Sequence, residues 1–247
     1  MNEIIQAWQH LPVSLDPVLA SIGSFQIRYY SLMYLAAFFC TYLLVVRRTR
    51  TEHYEFSTIV IQDVFVWAIV GLLVGARLGY VLFYDMSYFI EHPLEVFLPV
   101  RWSDDGVFFT GIRGLSYHGG LLGITAAVVV FCRRRGIRVL RLADLFAAAV
   151  PLGYTFGRLG NFINGELYGK VTSVPWGMYF PLDPTRRLRH PSQLYEALFE
   201  GLVLFALLWP LRKKFRTEGT LFGLYIAGYG TIRFVIEFFR EPDLHLG

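Results

Sequence analysis

The sequence predicts an all-α, polytopic membrane protein. Of its 247 residues, 55% are hydrophobic and only 17% are charged, where a soluble domain carries roughly a quarter. Mean hydropathy is +0.45. Six apolar segments also recur along the chain, each approaching the roughly 20 residues that cross hydrocarbon as a helix. These proportions exclude a disordered chain, a disulfide scaffold and most soluble enzymes.

The first segment, Tyr29–Val46, is uncharged, and the second, near Val64–Tyr84, is interrupted only by Arg77. The third is Gly114–Cys132. The fourth, Leu142–Gly157, is short and is predicted to kink at Pro151. The fifth, about Gln193–Leu211, carries Glu196 and Glu200. The sixth, Thr220–Phe239, carries Arg233 and Glu237. Cys40 and Cys132 sit in apolar runs without zinc spacing and read as small buried hydrophobes. Residues 1–25 hold Glu3 and Asp16, no Lys or Arg, and no continuous apolar core. No cleavable signal peptide is read there, so targeting falls to the first span.

Charge placement orients the chain. Arg47, Arg48 and Arg50 follow the first segment, and Arg133, Arg134, Arg135, Arg138 and Arg141 follow the third. Arg212, Lys213, Lys214 and Arg216 follow the fifth. Twelve of the 23 basic residues thus fall in three alternate short connections. The positive-inside rule makes those connections cytoplasmic. The N-terminus and the long loops near 85–113 and 161–192 are then outside. The same pattern speaks for membrane orientation and against a nucleic-acid partner. Gly71, Gly75 and Gly79 on the second segment, and Gly119 and Gly123 on the third, have the spacing that lets helix backbones approach closely. Arg77 lies about 160–200° around its helix from Gly75 and Gly79 and faces a different partner.

An ionisable group in a span is expensive and marks a candidate site. Arg77, Arg158 and Arg233 stand 13, 16 and 13 residues into their segments, a rise of about 20–25 Å from the cytoplasmic end. All three are therefore placed in the outer half of the membrane, unless each snorkels to the interface. Tyr229, Arg233, Glu237 and Arg240 share one helix face. Arg233 and Glu237 either pair to lower the insertion cost or face a ligand. Glu196 and Glu200, also at i and i+4, are candidate counter-charges for the arginines, with the pairing left open. His118 opens the third segment at the same outer level. It is either a satisfied structural histidine or the side chain suited to proton transfer near neutral pH.

The densest motif runs from Gly157 to Lys170, Gly-Arg-Leu-Gly-Asn-Phe-Ile-Asn-Gly-Glu-Leu-Tyr-Gly-Lys. Its glycines, with Asn161 and Asn164, imply irregular backbone, tolerated at a membrane where it lines a cavity. Arg158, Asn161, Asn164 and Glu166 supply donors and acceptors, although a well-capped helix end has the same composition. Together these residues describe an outward-facing cationic cavity with a histidine. Such a cavity suits an anion with an apolar body, such as a phospholipid, because a guanidinium makes paired charge-assisted bonds to phosphate.

Six blocks in order resemble the prolipoprotein diacylglyceryl transferase family. They are Tyr30-Ser31-Leu32-Met33-Tyr34, Gly75-Ala76-Arg77-Leu78-Gly79-Tyr80, His118-Gly119-Gly120-Leu121-Leu122-Gly123, Gly157–Gly169, His190-Pro191-Ser192-Gln193-Leu194-Tyr195-Glu196, and Arg233–Arg240. The resemblance covers about Tyr29 to Asp243. It implies transfer of a diacylglyceryl group from phosphatidylglycerol to the lipobox cysteine of a prolipoprotein signal peptide, with no cofactor and no metal. The setting it implies is the bacterial cytoplasmic (inner) membrane, with the lipid bilayer as partner. By resemblance, Arg158 binds the lipid phosphate, Arg233 stabilises the leaving phosphate, and His118 is a base or orienting group for the thiol. Tyr30 joins these as a catalytic candidate. Arg77, Asn161, Asn164, Glu166, Tyr229, Glu237 and Arg240 shape the substrate pocket. Two departures stand out. Lys170 replaces the usual arginine, keeping the charge and losing the fork. The family resembles a seven-helix bundle, whereas no final apolar run follows Pro242, so either the sequence is a fragment of a longer chain or this member lacks that helix. An anion channel would instead spread its cationic groups through the membrane depth, and a structural protein would merely pair them. A rhomboid-like protease is disfavoured because Gly-x-Ser-x-Gly is absent.

Overall fold

A computed structural model describes residues 2–23, 25–52, 54–96, 98, 100–103, 106–109, 114–215 and 217–241. Arg216, Pro242 and Asp243, which enter the sequence expectations, fall outside them. In chain order the elements are α1 (Asn2–Ser14), β1 (Val18–Ile22), β2 (Phe25–Arg28), α2 (Tyr29–Thr51), α3 (Thr58–Tyr84), α4 (Met86–Glu91), a 3-10 turn (Pro93–Val96), β3 (Val100–Ser103) and β4 (Gly106–Phe109). Then follow α5 (Tyr117–Arg135), α6 (Val139–Ala147), α7 (Val150–Ile163), α8 (Ser192–Glu196), a π-helical stretch (Ala197–Val203), α9 (Leu204–Leu211) and α10 (Thr220–Glu237). The chain is mostly helical. The antiparallel hairpins β1–β2 and β3–β4 depart from the all-α expectation, since their short strands carry no long periodic signal.

All six apolar segments are helical. Among the described residues, Tyr29–Thr51, Thr58–Tyr84 and Ser192–Leu211 are long and apolar enough to cross a membrane. The pair α6–α7, bent by 56°, would make a fourth. Helices α5 and α10, with 19 and 18 residues, do not meet that standard. The bend falls at Ala148–Ala149, and Pro151 stands in the first turn of α7. The straight rise assumed from Leu142 to Arg158 therefore does not hold.

The chain divides into two compact units, Met1–Tyr54 with Ala143–Gly247, and Glu55–Leu142. In the second unit, α3 starts where the Ser57 side chain accepts a hydrogen bond from the Val60 N–H at 3.3 Å, satisfying one of the orphan donors of a helix start. Helix α5 ends at Gly136, which is left-handed with φ 65°, the conformation glycine adopts without steric cost. The two helices pack through the predicted glycine stripes. A Cβ on Gly75 would lie 2.6 Å from Gly123 Cα, and one on Gly79 would lie 2.6 Å from Gly119 Cα. No side chain fits there, and close contact of this kind holds helices together where both are already surrounded by apolar groups.

In the first unit, α2 packs on α7, with Gly160 against Tyr30 and Met33 and Gly153 against Thr41. One end of this unit is tied by charge. Arg48 is fully buried. It donates to the carbonyls of Asp144 at 2.8 Å and Leu145 at 2.5 Å and pairs with Glu52 at 2.8 Å. Arg212 meets the other oxygen of Glu52 at 2.8 Å. The Asp144 carboxylate accepts from the Gly219 and Phe222 N–H groups, each at 2.7 Å, and so caps α10. Two arginines from the orienting clusters therefore also lock helix ends together.

Replacing Gly75 or Gly123 by Leu should abolish the folded, monodisperse protein in detergent. Gly223→Ala, which enters open space, should leave the elution profile and melting temperature unchanged.

Candidate active site

Helix α7 carries Tyr154, Arg158 and Asn161 at i, i+4 and i+7, hence on one face. The helix continues to Ile163, so the irregular backbone expected from Gly157 onward starts only at its C-cap, Asn164. Hydrogen bonds close the helix through Gly157–Asn161 despite the glycines. Beyond it, Gly165 and Leu167 are left-handed, with φ 72° and 59°. The Leu167 carbonyl accepts from Ser192 Oγ at 2.8 Å, and the Glu166 carbonyl accepts from Gln193 Nε2 at 2.5 Å. The Asn161 amide donates to Glu166 Oε1 at 2.8 Å. The Tyr30 hydroxyl meets Asn161 and donates to the Tyr34 hydroxyl at 3.0 Å. The end of the signature is threaded between two strands of loop. Gly169 N–H donates to the His190 carbonyl at 2.8 Å and Lys170 N–H to the Phe239 carbonyl at 2.9 Å. A Cβ at Gly169 would fall 2.8 Å from His190 Cβ, so the passage admits only glycine.

Glu196 is the centre. Its side chain is 1% exposed and collects three guanidiniums, Arg158 at 2.6 Å, Arg233 at 3.2 Å and Arg240 at 3.6 Å. Glu237, half exposed, takes Arg233 at 2.6 Å and Arg240 at 3.9 Å. The helical pairing of Arg233 with Glu237 therefore forms, and Arg233 also reaches across to a second helix. Arg158 extends the network, donating through Nε to the Tyr154 hydroxyl at 2.7 Å and through Nη1 to Asn161 Oδ1 at 3.4 Å. Its Nη2 has no hydrogen-bond partner among the described residues, and the side chain keeps 19% exposure. The Tyr154 hydroxyl donates to buried Glu200, and its ring meets that of Tyr229 edge-on at 6.0 Å. The arginines are thus fixed by carboxylates rather than bare, and the Arg158, Arg233 and Arg240 side chains keep 19%, 25% and 13% exposure.

The loop after the signature is held by its own ion pair. Arg189 makes two bonds to the buried Asp183, at 2.8 and 3.0 Å, and a second ion pair to Glu241 at 3.1 Å. Burial alone would raise the Asp183 carboxyl, but hydrogen bonds from Arg189 and Thr185 outweigh it and hold it at about 2. Burial also pushes the His190 imidazole below its ordinary range. His190 shares a 3.0 Å hydrogen bond with the Tyr195 hydroxyl.

The structure therefore brings Tyr30, Arg158, Asn161, Glu166, Tyr229, Arg233, Glu237 and Arg240 into one connected part of the first unit. Asn164 sits beside them as the helix cap. Arg77 and His118 belong to the second unit and have their own surroundings. Arg77 donates to the carbonyls of Glu95 at 2.6 Å, Val96 at 2.7 Å and Gly114 at 3.3 Å, and its guanidinium lies 4.8 Å above the Phe89 ring. It faces away from the glycine stripe, as its helical position requires. His118 is exposed in the first turn of α5, beside the Tyr117 ring at 5.6 Å.

A family model described as prolipoprotein diacylglyceryl transferase matches residues 17–247. The chain belongs to this family. Among curated relatives, the phosphatidylglycerol–prolipoprotein diacylglyceryl transferase of Chlorobaculum tepidum is 52% identical over 240 residues, covering 97% of this chain and 83% of the relative. Those of Idiomarina loihiensis and Geobacter sulfurreducens are 46% and 45% identical, covering 95% and 94% of this chain and 84% and 85% of the relatives. Within the family signature, Lys170 uses its ammonium on the Phe238 carbonyl at 3.2 Å, a single bond that needs no fork. Sequence reasoning missed Tyr154, whose only signal is its place one turn before Arg158. It also left open that Glu196 alone gathers three arginines.

Glu196→Gln removes the anion shared by three cations, and breaking a buried ion pair from one side costs about 3–5 kcal/mol. Thermal unfolding in detergent should show that loss, with a much smaller one for Glu237→Gln at the surface. Because folding lowers the Asp183 carboxyl, its contribution is complete above about pH 4 and is lost as pH falls through about 2. Hydrogen exchange of residues 169–190 should therefore accelerate over that window in the wild type. In Asp183→Asn it should be fast at every pH.

Proposed function

We propose that this chain transfers the diacylglyceryl group of phosphatidylglycerol to the thiol of the lipobox cysteine in a prolipoprotein signal peptide. This is the first step of bacterial lipoprotein maturation. The observation that carries it is 52% identity, across 97% of the chain, to a protein bearing that activity in its name. The arginine cluster supplies the means. In the reaction the thiol loses its proton, the thiolate sulfur attacks the glycerol carbon bearing the phosphate, and a C–S bond forms as the C–O bond breaks. The electron pair leaves on phosphate oxygen, so glycerol phosphate departs with one more negative charge than it had as a diester. Guanidiniums already held in place stabilise that charge without reorganising.

In this assignment the open Nη2 edge of Arg158 takes the lipid phosphate and Arg233 takes the charge that develops on the leaving group. Asn161 accepts from Arg158 Nη1, and Glu166 holds the Asn161 amide in turn. Tyr30, Asn164, Tyr229, Glu237 and Arg240 shape the pocket. By resemblance to the family, His118 is assigned to the thiol as its base or orienting group, and Arg77 to lipid binding. Apolar helices place the chain in a bilayer, and the alternation of basic connections supports a cytoplasmic membrane with the site toward its outer side. Both substrates are membrane-borne, which suits entry from the bilayer.

Purified protein in detergent, given phosphatidylglycerol and a lipobox peptide, should release glycerol phosphate and add the diacylglyceryl mass to the cysteine. Arg233→Ala, checked for folding, should lower kcat/KM by roughly a hundred-fold or more, the scale for losing a donor to developing charge. Absence of transfer by the wild type with both substrates present would overturn the assignment.

A further inference from the structure

We propose that Tyr154 is a positioning residue for Arg158, and that its hydroxyl directs the open edge of the guanidinium toward the phosphate of phosphatidylglycerol. The proposal rests on the transferase reading of the site. Glu196 cannot set that direction alone, because the same carboxylate is shared with Arg233 at 3.2 Å and Arg240 at 3.6 Å. Asn161 gives Arg158 only a long bond of 3.4 Å. Tyr154 supplies two constraints together. Its hydroxyl accepts from Arg158 Nε at 2.7 Å, and its ring lies under the guanidinium, with Cζ 4.8 Å from the centroid. The short bond holds the Nε edge, and the ring limits how far the fork can swing.

The polarity of the hydroxyl is fixed in turn. Tyr154 donates its proton to Glu200, so a lone pair is left to face the Nε–H. Glu200 is 1% exposed, and its other oxygen has no hydrogen-bond partner among the described residues. Glu200 also acts on Arg158 by charge, and its hydrogen-bonded route to that guanidinium runs through Tyr154. The backbone holds this arrangement tightly, since a Cβ at Gly201 would strike the Thr155 side chain. The π-helical turn between Glu196 and Gly201 widens the helix at the point where both carboxylates face inward, and such turns concentrate at functional sites.

Tyr154→Phe keeps the ring and removes the hydroxyl. The KM for phosphatidylglycerol should rise about ten-fold, the worth of a hydrogen bond to a charged group, with kcat within about two-fold of the wild type. The melting-temperature rise caused by short-chain phosphatidylglycerol should shrink in parallel. Tyr154→Phe/Glu200→Gln also removes the carboxylate stranded by the first change, and carries the same comparison if the single variant folds poorly. Its KM should stay raised. Wild-type KM in the single variant, or its recovery in the double variant, would overturn the proposal, the latter by showing that Tyr154 serves only to satisfy Glu200. A wild type that binds the lipid without transferring it would sink the transferase reading and leave the melting-shift comparison to judge Tyr154.

Discussion

The structure of the site depends on one buried carboxylate. Three guanidiniums in the apolar interior of a helical unit would repel one another and lose their hydration. Glu196 makes them tolerable by giving each an oxygen within 2.6 to 3.6 Å. Glu237 adds a second, half-exposed anion shared by Arg233 and Arg240. The Arg158 and Arg233 side chains keep 19% and 25% exposure, and in the transferase reading that is where a phosphate would meet them.

The rest of the unit brings the other components to that carboxylate. Helix α7 delivers Tyr154, Arg158 and Asn161 along one face, and α10 delivers Tyr229, Arg233 and Glu237 along another. The loop from Asn164 to Pro191 closes over the end of α7. It is pinned by the buried Asp183–Arg189 pair and by the passage of Gly169 between His190 and Phe239. At the other end, Arg48, Glu52, Arg212 and Asp144 fix the helix ends to one another. Irregular backbone and polar side chains thus sit where protein surrounds them, as hydrocarbon requires. The catalytic proposal needs this rigidity, since preorganised charge stabilises a departing phosphate only if it does not relax away from it.

Much of this was legible in the sequence because period and charge are local properties. Glycines every four residues announced the contact of α3 with α5. Arginines and glutamates inside apolar runs announced a charge cluster, and i, i+4 spacing announced the Arg233–Glu237 pair. Nonlocal pairing was not legible. Nothing in the chain says that Glu196, rather than Glu200, receives Arg158 and Arg233, because that choice is made by the π-helical turn and by the packing of α7 on it. The bend at Ala148–Ala149 was visible only as a proline nearby, so the depth of Arg158 was reckoned along a helix that is in fact broken. Composition also overstated the irregularity of Gly157–Asn161, where the packing of α2 against Gly153 and Gly160 favours a regular helix over the intrinsic preference of glycine for turns. Short hairpins were missed for want of any long alternation to read.

The central claim is that Glu196 sets the geometry of the arginines as well as their charge balance. Its most direct test is kcat/KM for diacylglyceryl transfer by Glu196→Asp, which keeps the anion and shortens its reach by one methylene. If geometry is the point, the variant should fold with a melting temperature close to that of the wild type and lose at least about ten-fold in kcat/KM, since small misplacement of positioned groups carries such losses. A folded Glu196→Asp protein with the wild-type kcat/KM would contradict it.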